Sequence, residues 1–288
     1  MGAIENRTLT PEFLKKLKEG KSQFKDVLST LKKDLSLDME MRRGKIEVYY
    51  RGAFLFNMKE NGEWNFVNDI EKKGQYNFKE LIKDGKQIID TENKVIPELE
   101  VSQLIVRENN RSSIAGKTDF FVIDREYQNT DQDQFDIVAL NWDNDRYAHQ
   151  HPEKASIVVV EVKNGTGSAK GDKGIVVHQE DFDKFIKNAN INAFKEEMLT
   201  MFRQKYELGL ISGISKDTGK YIDDLSISDI KYVTLLANYA PRSFKNNLLP
   251  ELDKVSPDSK FFISSFMGYG LYSSCILNTD QLKKLISL

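Results

Sequence analysis

The segment running from Ser156 to Gly165, SIVVVEVKNG, limits this chain more than any other. A run of strand-forming residues with three consecutive valines leads directly into Glu161 and Lys163, and the chain then turns at Asn164-Gly165. A run this apolar is expected to be buried on both faces of a sheet. Buried charge is costly unless it is paired or holds a metal, so the strand end needs a structural partner or a chemical use. Strand alternation puts Glu161 and Lys163 on one face with Ile157 and Val159. Spacing alone says little, because Glu-x-Lys or Asp-x-Lys recurs at Glu19, Glu71, Asp84, Glu92, Asp229 and Asp258. Only the 161–163 copy ends an apolar strand, and on spacing alone a salt bridge is the favoured reading.

The rest of the chain changes period several times. Residues 10–35 read as one helix, with Thr10 as N-cap, Pro11 at the first position and lysines on the solvated face. Residues 45–68 read as two or three short strands broken at Gly52 and Asn61-Gly62. Residues 77–110 return to helical spacing, with Pro97 opening the second of two helices. Three strands follow, at 118–127, 135–143 and 156–163, and then a long helix at about 179–208. Further strands at 231–239 and 260–271 flank another helix, and DQLKKLISL closes the chain as a short amphipathic helix. This order predicts an α/β layered domain over 77–288, preceded by an N-terminal helix and antiparallel meander over 1–76.

Asp136 lies in the apolar strand before Glu161. If the two strands are antiparallel neighbours, Asp136 and the Glu161/Lys163 pair converge at one sheet end. Two nearby carboxylates resist joint ionisation without a cation. With the Val162 carbonyl they form a hard-oxygen set suited to Mg²⁺, with Mn²⁺ as a substitute. Lys163 beside them suits a role in positioning water or stabilising phosphate charge.

In order and residues, 92–240 resembles the PD-(D/E)XK nuclease superfamily, whose core is a helix, a three-stranded antiparallel meander, a helix and a further strand. The family's acid on the second strand matches Asp136 in FDIVAL, and its Glu-x-Lys on the third matches Glu161 and Lys163 in VVVEVK. The resemblance implies a restriction-endonuclease-like fold and a Mg²⁺-dependent nuclease acting on DNA. Its metal would sit on Asp136, Glu161 and the Val162 carbonyl. It also implies a glutamate from the first helix, for which Glu98 is preferred to Glu100, and a glutamine early in the following helix, where Gln179 fits. Asp119, Asp124 and Glu126 on the first strand are alternatives to Asp136. The loop 164–174 is longer and richer in glycine than a strand-to-helix connection needs.

Rival readings are weaker on the residues. The glycine-rich loop lacks the Gly-Lys-Ser/Thr of a phosphate-binding P-loop, so nucleotide binding is disfavoured. His149 and His151 have no cysteine nearby to complete a zinc site, and His178 beside Gln179 is a secondary candidate for a phosphate contact or general base. A nuclease-like module that only binds DNA or protein is the main alternative to an enzyme. The net charge of −2 rules out a uniformly basic surface, so any nucleic-acid contact must be local. No apolar run is long enough to span a bilayer, and the N-terminus carries no signal-peptide core. The single Cys275 points to a reducing, cytoplasmic setting, and the chain is compatible with a homodimer.

Overall fold

Residues 7–73, 77–129, 133–142, 150–165, 167–264 and 268–287 are described by a computed structural model. Thr10 caps the first helix by accepting from the Phe13 amide, and α1 (Pro11–Glu19) ends at Gly20, whose φ of 59° is left-handed. α2 (Val27–Lys33) is a separate helix. The single helix expected over 10–35 is therefore broken, because Gly20 takes a conformation that terminates helices.

Four strands follow: β1 (Leu37–Arg42), β2 (Lys45–Tyr50), β3 (Ala53–Lys59) and β4 (Trp64–Phe66). They form an antiparallel sheet in that order. β1 adds a strand to the expected meander. α3 (Phe78–Thr91) opens with a capping box between Asn77 and Glu80, and α4 (Pro97–Asn110) starts at its proline as the sequence implies. α3 packs on the small sheet, with Phe78 edge-on to Phe56 at 5.4 Å. The N-terminal layer thus includes α3, beyond the boundary at residue 76.

The second sheet is built from β5 (Phe120–Gln128), β6 (Gln134–Asn141), β7 (Ser156–Asn164), β8 (Asp229–Ala237), β9 (Lys260–Ile263) and β10 (Leu277–Asn278). Its order is β10-β9-β8-β7-β6-β5. β5, β6 and β7 are antiparallel neighbours, whereas β8 lies parallel to β7 and β9 parallel to β8. Two helices, α5 (Ile175–Asn188) and α6 (Ile191–Glu207), connect β7 towards β8. The expected helix over 179–208 is divided because the Asn190 side chain accepts from the Ala193 amide and starts a new helix. The short α7 (Lys216–Gly219), then α8 (Pro241–Leu252) and α9 (Thr279–Ser287), complete the α-helices among the described residues. The molecule is mixed α/β, with one antiparallel and one mixed sheet.

β7 is apolar on both faces for two reasons. Ile157 and Val159 join the large core that also takes in Phe13, Leu31, Met39 and Phe202. Val158, Val160 and Val162 face a second core with Val101 and Ile105 of α4. Between the two sheets lies a charged layer: Lys205 pairs with Glu40 at 2.9 Å, Arg125 with Asp38 at 2.9 Å, and Asp124 with Arg42 at 2.7 Å and Arg7 at 2.9 Å.

Candidate functional site

Glu161 and Lys163 are buried where they stand, 4% and 3% exposed. The Lys163 Nζ donates to Glu161 Oε1 at 2.7 Å and to the Lys173 carbonyl at 2.8 Å. The salt bridge anticipated from spacing is thus present, and the glycine-rich loop supplies the second acceptor. This loop is ordered into two single turns, Gly167–Ala169 and Gly171–Lys173. Gly174 closes it where a Cβ would stand 2.8 Å from the Lys170 backbone.

The ladder between β6 and β7 ends at the pair Ile137–Val160. One residue earlier on β6, Asp136 gives its carboxylate to the neighbouring main chain: Oδ2 accepts from the Val162 amide at 2.6 Å. The N–H and C=O of one strand residue point to the same neighbour, so the Val162 carbonyl also faces the side where β6 and β7 part. Asp136, Val162 and Glu161 thus meet at one sheet end.

The electrostatics follow from this crowding. Burial and the Glu161 carboxylate push Asp136 up to about 8, against the pull of the Val162 amide and Lys163. Glu161 is also raised, by burial first, with Lys163 opposing and Glu98 and Glu126 adding to the rise. Burial and Asp136 lift Glu126 to about 7. His178, on the first turns of α5, lies with Nδ1 3.2 Å from Glu161 Oε1. Burial and the Lys163 ammonium lower it to about 4, so its ring is neutral near pH 7.

The other candidates separate by their partners. Glu98, in the first turn of α4, acts on both Asp136 and Glu161, while Glu100 is held by Arg51 at 2.8 Å. Gln179 accepts from Ser259 Oγ at 2.8 Å and so is engaged away from Glu161; its neighbour His178 is the helix residue that reaches it. Asp119 accepts from the Ser273 amide at 2.8 Å, and Asp124 is held between two arginines. Of these three acids, Glu126 is the one whose ionisation Asp136 opposes. His151 pairs with Glu153 at 2.9 Å, and His149 lies outside the described residues.

Among the described residues, no three His, Cys, Asp or Glu side chains are gathered tightly enough to cage an ion. A metal here would rest on Asp136, Glu161 and the Val162 carbonyl, with water completing its shell. That donor set fits Mg²⁺, which commonly takes one or two carboxylates and keeps several waters. The two acids fit it as well, since each is harder to ionise beside the other and a cation would relieve both. Among the described residues no helix is long and apolar enough to cross a membrane. No protein-family model, no curated protein and no solved structure matches the chain.

Proposed function

We propose that this chain is a Mg²⁺-dependent nuclease of the PD-(D/E)XK kind that hydrolyses phosphodiester bonds in DNA. The observation that carries this reading is the Asp136 carboxylate on the Val162 amide, at the sheet end that also presents Glu161 and Lys163. The order α4, β5-β6-β7, α5, β8 supports it, with the acid on the second strand of the meander and Glu-x-Lys on the third.

In this reading Asp136, Glu161 and the Val162 carbonyl hold the metal, which supplies charge for the phosphate oxygens and a more acidic water. Lys163 has three donors. Glu161 and the Lys173 carbonyl occupy two, which leaves one for a water or phosphate oxygen. Glu98, whose charge acts on both Asp136 and Glu161, would assist through the metal's water shell. The neutral His178 packs against Glu161 and helps fix its carboxylate. Gln179, the next residue of α5, is taken up by Ser259.

The test is incubation with plasmid and single-stranded DNA in Mg²⁺, Mn²⁺ and EDTA. Wild type is expected to cut only with metal, and Lys163→Ala to cut about 10²–10³-fold more slowly, as for loss of one transition-state donor. Cutting that is metal-independent and equal in both proteins overturns the reading, as does DNA binding with no cleavage across a broad substrate panel.

A further inference from the structure

Where β6 and β7 part, α5 covers a cavity of about 290 Å³ that reaches Glu161. We propose that it receives one unpaired nucleobase of the substrate strand, an inference that rests on the nuclease reading. The space is at the small end of ligand pockets and is enough for a single base.

Its lining selects against phosphate. Asp133, Glu161 and Asp181 present carboxylates, and the lysine present, Lys184, pairs with Asp181 at 2.8 Å. An anion would meet net negative charge there. A nucleobase is flat and neutral, and the part-exposed His178 ring suits its face, while the Phe135 ring is taken up by Tyr127, Phe182 and Phe185. The carboxylates accept from exocyclic amino groups, while the Gln134 amide offers both a donor and an acceptor. In a duplex one hydrogen of each amino group is taken by the partner base, so both are offered only by an unpaired base, and the pocket takes an extruded or single-stranded nucleotide. Cytosine and adenine carry such an amino group. Thymine offers one N–H between two carbonyls, and those would face the carboxylates.

The pocket adjoins the candidate metal ligand Glu161, so the base it holds belongs to a nucleotide next to the scissile phosphate. Specificity would then be for an unpaired, amino-bearing base at the cut, not for a duplex sequence.

The experiment measures binding of short oligo(dC) and oligo(dT) to Lys163→Ala protein in Mg²⁺, beside cleavage of both strands by wild type. Oligo(dC) is expected to bind at least about fivefold more tightly. Adding Asp181→Asn is expected to bring the two affinities together without moving the thermal midpoint, because Asp181 is half-exposed on α5. Gln134→Ala, also on the surface, is a second variant expected to narrow the gap. Equal affinities, or a preference that survives both variants, overturns the pocket. Mg²⁺-dependent cutting with equal affinities overturns the pocket and leaves the nuclease reading standing. Base-selective binding with no cutting of any strand does the reverse.

Discussion

Two acids of the second sheet, Asp124 and Asp136, have different fates, and the difference lies in their partners. Asp124 is fully buried and held by Arg42 and Arg7, whereas Asp136 has one main-chain amide and two neighbouring carboxylates. Asp124→Asn leaves two buried guanidiniums short of charge and is expected to cost about 3–5 kcal/mol in urea unfolding. Asp136→Asn is expected to abolish metal-dependent cutting with little change in the urea midpoint. The reverse pattern would move the site to Asp124. Glu40 carries a second prediction at this scale. Complete burial, with Asp38 and Asp124 adding to it and Lys205 and Arg42 opposing, pushes Glu40 up from 4.5 to about 8. Between those values the folded protein holds a proton that the unfolded chain has released. This contribution to stability is complete below about pH 4.5 and is lost as pH rises towards 8. Urea midpoints should therefore fall over that window for wild type and fall less for Glu40→Gln; parallel profiles would refute the assignment. Glu161 and Lys163 were legible in the sequence because an apolar strand ran into them. Asp124 and Asp136 were not separable there, since their partners lie on residues 7, 42 and 162.

At the scale of elements, local chemistry was legible and punctuation was less so. Pro97 and Thr10 open helices where the sequence places them, yet Gly20 and Asn190 cut two expected helices in half. β1 escaped because Asp38, Glu40 and Arg42 interrupt its apolar residues, and those charges are buried against partners far along the chain. The loop from Gly165 to Gly174 gains a physical role from the Lys173 carbonyl, which takes one of the Lys163 donors. Gly174 approaches the Lys170 backbone too closely for a Cβ, so Gly174→Ala must shift the loop and draw that carbonyl off Lys163. On the nuclease reading, the turnover rate should drop by about tenfold or more, and the thermal midpoint should fall too, because Gly174 is buried and the atoms an added Cβ would meet are main chain. DNA affinity in Mg²⁺ should hold. A variant with normal turnover would show that Glu161 alone positions Lys163.

For the whole molecule, the sequence suggested two parts, a meander over 1–76 and a layered domain over 77–288. The packing joins them. One core continues from Leu9 and Phe13 through the small sheet to Phe121, Ile157 and Phe202. The charged layer between the sheets draws on both parts, Glu40 with Lys205 and Asp38 with Arg125. Arg7 also lashes the N-terminal segment to β5, donating to the carbonyls of Glu126 and Gln128, while its own amide donates to Glu197. A periodicity reading could not find this, because each half of the layer looks like ordinary amphipathic sequence until the other is placed on it. The consequence is thermodynamic. Splitting the molecule at residue 76 would expose apolar surface on both pieces and strand ions whose partners are on the other piece, each a large penalty against a marginal total stability. Calorimetry on the full chain should therefore give one transition, with calorimetric and van't Hoff enthalpies equal. Residues 92–240, the stretch that resembles the nuclease core, should not fold alone, and circular dichroism with sharp thermal melting would reveal it if they did. Arg7→Ala should lower the single midpoint without splitting it, since the strap is one contact in a shared core and not the hinge between two independent ones. Two resolved transitions, or a stable 92–240 fragment, would mean that the charged layer is a docking surface between separately folded units.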